Sequence, residues 1–165
     1  MRLFPRLQSA QDCLIELLST FDPELGWGPR GALAIDICEA SSRLVQIRRE
    51  IVHPHLMMAG LETRLIDDAA VDFSLVSLLL DETLAACTAG RDFDVQIRAV
   101  GRLLEHRFAL EEAPGGLWAA AAQAEIDVSA VDLEIRCRML EQGRRRPLLR
   151  PPSRRGCRSF IEGPR

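Results

Sequence analysis

At 165 residues the chain is long enough for one domain with an apolar core of its own, and its five cysteines, scattered and never paired as C-x-x-C, indicate neither a disulfide framework nor a zinc site. All 21 basic residues are Arg, which excludes Schiff-base and P-loop lysine chemistry, and the lack of Tyr favours packed aliphatic helices over a β-sandwich. Residues 1–142 carry 13 Arg against 23 acidic residues, a net of −10, while residues 143–165 carry 8 Arg against Glu162, a net of +7; the acidic body argues against a specific nucleic-acid partner.

Ser9 and Asp12 resemble a capping box, and Ala10, Leu14, Leu17 and Phe21 recur at helical spacing behind it, predicting a first helix over residues 9–21. DPELGWGPRG, residues 22–31, is loop chemistry. From Ala32 the stripe Leu33, Ile37, Ala40, Leu44, Ile47 and Ile51 predicts a second helix, with Arg48, Arg49 and Glu50 off the stripe. Pro54 then disfavours the α conformation at His53, so the helix is expected to end or kink there.

A third helix is predicted over residues 69–88. Its apolar positions cover most of its girth, so it should be the most buried element. Gly90 closes it, and Asp92 or Asp94 caps a fourth helix that runs to about Glu112, where Pro114, Gly115 and Gly116 break it. A short segment over residues 117–124 leads to Ser129 as a cap and to a last helix with Val131, Ile135 and Met139 inward, ended by Gly143. Two regions follow: a helical bundle over residues 1–143 and, by its Arg, Pro, Gly and Ser content, a disordered tail over residues 144–165. The longest greasy run is too short to span a bilayer and the N-terminus has no apolar signal core. A soluble cytoplasmic protein with no membrane partner is expected.

One stretch places a good nitrogen ligand and carboxylates within two turns: RLLEHRFALEE, residues 102–112. With its flanks, FDVQIRAVGRLLEHRFALEEAPGGLWAAAA followed by IDVSAVDLEIRCRMLEQ, it resembles the C-terminal half of hemerythrin-like (HHE cation-binding) domains, over roughly residues 32–142. The resemblance implies an antiparallel four-helix bundle. It also implies inward His, Glu and Asp side chains that hold iron and serve oxygen or redox sensing or storage. His106 matches the family histidine. Leu110 stands where a carboxylate would follow, and Glu111 and Glu112 come one and two residues late. His53 and His55, flanking Pro54, are followed four residues on by Met57 and Ala59 rather than by glutamates.

The candidate metal ligands are therefore His53, His55, His106, Glu111 and Glu112, a set short of the nitrogen ligands a five-histidine centre needs. A bland reading stands beside it. Glu111 lies about 140° around the helix from His106, so His106 can be a boundary residue and Glu111 a helix-end carboxylate, while His53 and His55 can cap carbonyls or face water. Two functions follow: a hemerythrin-like protein binding iron or another divalent metal, and a metal-free helical bundle acting as an interaction or regulatory module with an unidentified protein partner. No Ser-His-Asp, P-loop or dinucleotide fingerprint is present, so no enzymatic activity is expected.

Overall fold

The computed structural model describes residues 3–144, and all regular structure among them is helical. Helix α1 spans Pro5–Ser19, α2 Trp27–Ile47, α3 His53–Met58, α4 Thr63–Thr88, α5 Asp94–Glu112, α6 Leu117–Ala121 and α7 Val128–Arg144; a π-helical turn, Arg48–Val52, joins α2 to α3. Helix α4 packs on α2 and α5, α1 packs on α2, α5 and α7, and α7 also packs on α2 and the π-turn. The core is a continuous aliphatic cluster in which Leu7, Ile37, Ile51, Leu56, Phe73, Ile97 and Leu104 are fully buried.

Several element boundaries differ from the sequence expectation for identifiable reasons. Helix α1 starts at Pro5 rather than at Ser9, because proline at the first helical position sacrifices no intrahelical donor and presets φ. Helix α2 starts at Trp27, so half of the expected loop forms its first turn. Arg30 secures that corner: its guanidinium lies 5.4 Å from the Trp27 ring and 5.5 Å from the Phe93 ring, and donates to Asp94 Oδ2 at 3.0 Å and to the Pro23 carbonyl at 3.0 Å. Asp92, outside α5, accepts from the backbone N–H of Phe93 at 2.9 Å, and Asp127 rather than Ser129 accepts the N-terminal N–H of α7, from Ala130 at 3.0 Å. Helix α7 extends to Arg144, one residue past the expected stop; from residue 145 on, the expected tail lies outside the described residues.

Helix α4 starts at Thr63, six residues before the predicted start, and is not apolar-buried around its girth. Phe73, Val76 and Leu80 face the core, but Val71, Leu75 and Leu78 are 60%, 47% and 57% exposed.

The π-turn matters most for the interior. In a regular α-helix the Pro54 ring would press on the carbonyl of Glu50 and leave it without a donor. Here the turn before the proline widens, and His53 N–H donates to the Arg48 carbonyl five residues back. The helix therefore passes through Pro54 instead of ending there. Ile47 and Arg48 are buried side by side on the regular spacing of α2, and the widened turn then buries Ile51, Val52 and His53 in succession.

Candidate functional site

A polar layer crosses the interior where α1, the π-turn, α4, α5 and α6 meet, and Arg48 is its centre. Its side chain is 0% exposed although the stripe reading placed it on the outside. The Nη1 nitrogen donates to both carboxylate oxygens of Glu111, at 2.7 and 2.5 Å, and Nη2 donates to Gln11 Oε1 at 2.9 Å. Three aromatic rings surround the guanidinium: Phe73 and Phe108 at 5.0 Å each and Trp118 at 5.4 Å from its central carbon. Trp118 is itself held edge-on against Phe4 at 5.8 Å. A planar, always-charged, weakly hydrated group suits such a box, where a lysine ammonium would not.

Helix α5 supplies the other half of the layer. Arg107, one turn before Glu111, has its Nε 3.9 Å from Glu111 Oε1 and donates through Nη1 to Asp72 of α4 at 3.1 Å. Two guanidinium groups thus face two carboxylates, and the layer is formally neutral. Burial pushes Glu111 above its ordinary range, while Arg48 first and Arg107 next pull it back. Arg48 cannot surrender its proton, so the guanidinium is the fixed charge in this pair.

His53 borders the same layer, its ring 6.0 Å from that of Phe73. It is 5% exposed and its Nε2 has no hydrogen-bond partner. Burial, and behind it the positive charges of Arg48, Arg107 and Arg49, lower its pKa to about 4, so it is neutral at pH 7.

The structure separates the five ligand candidates. Glu111 is committed to Arg48. His53 is buried beside the layer. His55 points outward and pairs through Nε2 with Glu134 of α7 at 3.0 Å. His106 and Glu112 are exposed on the outer side of α5. Among the described residues no three His, Cys, Asp or Glu side chains converge as a metal site. The donor chemistry agrees with this. An iron among these groups would share the interior with Arg48 and Arg107 and would draw on a single carboxylate already bonded through both oxygens. The residues present do not fit the iron that the resemblance would imply.

Sequence reasoning missed Arg48, Gln11 and the pairing of Arg107 with Asp72. A signal existed for Arg48: it continues the spacing Ile37, Ser41, Leu44 and then Ile51, a second stripe one step beside the one followed, and its charge alone argued against it. Comparison with protein-family models, with curated proteins and with solved structures finds no match for this chain.

Proposed function

We propose that this protein is a metal-free interaction or regulatory module built on a hemerythrin-like antiparallel four-helix bundle, in which the Arg48 guanidinium stands where the family would hold a cation. The observation that carries the reading is the bidentate contact of fully buried Arg48 with Glu111, the one candidate carboxylate inside the chain. The bundle topology is supported by the closed order of helix contacts, α1 with α2, α2 with α4, α4 with α5 and α5 with α1. An arginine can replace an ion here because it offers a permanent positive charge and directed donors to the carboxylate and amide groups converging on the axis.

The function then resides on the surface. Helix α4 presents Val71, Leu75 and Leu78 to solvent, and the body that carries them is acidic, which suits recognition of another polypeptide better than of nucleic acid. Elemental analysis of protein purified without an affinity tag tests the reading. Substoichiometric metal in wild type and in a His106→Ala variant alike is expected. One or more equivalents of iron in wild type, lost in His106→Ala, would contradict it.

A further inference from the structure

The outer face of α4 is a feature that the interior does not explain. At about 100° per residue, Val71, Leu75 and Leu78 fall within an arc of about 60° opposite the core residue Phe73. They form an apolar strip with Ala70 and Ser74 along its edge. Both ends of the strip are acidic: Asp67 and Asp68 precede it, Asp81 and Glu82 follow it, and all four are exposed. Arg64 lies 4.0 Å from Asp68 and offsets part of one end. A second copy pairing antiparallel through this face would set Asp67 and Asp68 against Glu82 and Asp81, like charge against like. The face calls for an apolar anchor with arginines around it.

Residues 145–165 have that composition, with seven Arg against Glu162 and two apolar pairs, Leu148–Leu149 and Phe160–Ile161. Reach distinguishes the pairs. Helix α7 ends near Gln46, to which Gln142 donates at 3.2 Å. Cys38 of α2 lies 4.0 Å from the Leu80 carbonyl of α4. Since α2 and α4 run antiparallel, Gln46 is level with about Asp72, beside the strip. The path from α7 across α2 to the far side of α4 covers two interhelical spacings of about 8–10 Å and about 5 Å more, roughly 20–25 Å in all. At about 3.3 Å per residue this takes at least about seven residues beyond Arg144. Leu148 and Leu149 fall short, whereas Phe160 and Ile161 reach it easily.

We propose that residues 154–161, RRGCRSFI, dock on the outer face of α4, with Phe160 and Ile161 on Val71, Leu75 and Leu78 and with Arg154, Arg155 and Arg158, which all precede that anchor, toward one of the strip's acidic ends. The chain would then cover its own apolar strip, so that any partner for that strip competes with residues 154–161. This docking does not depend on whether the interior binds metal.

The test uses the full chain. A nitroxide is attached at Cys157 after the exposed Cys13 and Cys137 and the partly exposed Cys87 of α4 are replaced by Ser, and amide signals of isotope-labelled protein are recorded with the label oxidised and reduced. Residues 71–78 should lose intensity in the oxidised state, the outward residues of α5 should not, and Phe160→Ser with Ile161→Ser should restore the signals. At about 1 M salt, where screening acts within about 3 Å, the loss should weaken. No loss at residues 71–78 overturns the proposal. So does a loss of equal size when labelled and unlabelled chains are mixed, which would identify a second copy as the occupant. A loss that survives the Phe160 and Ile161 substitutions overturns their assignment as anchors.

Discussion

Replacing Glu111 by Gln should be among the most damaging single changes available in this chain. The substitution keeps the shape of the side chain but leaves Arg48, 0% exposed, as a buried charge with no counter-ion of its own, with Arg107 at the same oxygen. Breaking a buried pair from one side costs about 3–5 kcal/mol. Domains of this size hold only about 5–15 kcal/mol in total. At roughly 2–4 °C per kcal/mol the midpoint should fall by about 6–20 °C. Removing both charges should be far milder. Arg48→Met with Glu111→Leu replaces the pair by apolar groups amid Phe73, Phe108 and Trp118, a change that is neutral or stabilising in comparable sites, less about 1 kcal/mol for the Gln11 amide left without its donor. Urea denaturation followed by helical ellipticity, across both singles and the double, measures the coupling. A cost below about 1 kcal/mol for Glu111→Gln, or a double variant less stable than Glu111→Gln, would show that the buried pair does not carry this energy.

His53 sets a pH dependence. Its folded pKa of about 4 lies below its ordinary 6.5, so the unfolded chain binds the extra proton between those values and stability is lost as pH falls from 6.5 toward 4, by on the order of 3 kcal/mol from this group. Above pH 6.5 its contribution is constant, and His53→Phe should flatten the acid limb of the stability curve; an unchanged slope would contradict the burial argument. His106→Ala, at an exposed position, should alter stability by no more than about 0.5 kcal/mol in equilibrium denaturation. Gly116→Ala should destabilise by about 1–3 kcal/mol, since a Cβ there would sit 2.3 Å from the Leu110 carbonyl oxygen and 2.8 Å from that of Glu111, displacing the end of α5. A thermal midpoint equal to wild type would show that α5 gives way there freely.

Periodicity and helix-breaking residues made most of the helices legible. Val131 and Ile135 face inward as their spacing required, and Gly90, at φ +65°, ends the turn after α4. What periodicity could not supply was the phase of each helix once its regular hydrogen bonding is interrupted. The π-turn before Pro54 adds a residue to one turn and leaves Ile51, Val52 and His53 all buried, whereas Arg48, already inward on the regular spacing of Ile37, Ser41 and Leu44, was discounted for its charge although it is the hub of the interior. Glu111 was found, but its partner lies 63 positions away and only the fold brings them together. Helix α4 failed in the opposite sense: hydrophobicity alone assigned Val71, Leu75 and Leu78 to the core, whereas one helix face cannot hold every apolar residue the sequence supplies.

Under the proposed function the Arg48 guanidinium stands where the resemblance would place a metal. Anaerobic calorimetric titration with ferrous iron at pH 7.5, followed by exposure to oxygen, tests it most directly. No saturable heat and no oxygen-dependent near-ultraviolet band are expected, because Glu111 is held by Arg48 and His55 and His106 point away from the interior. Two tight equivalents of iron with an oxygen-dependent band would contradict it.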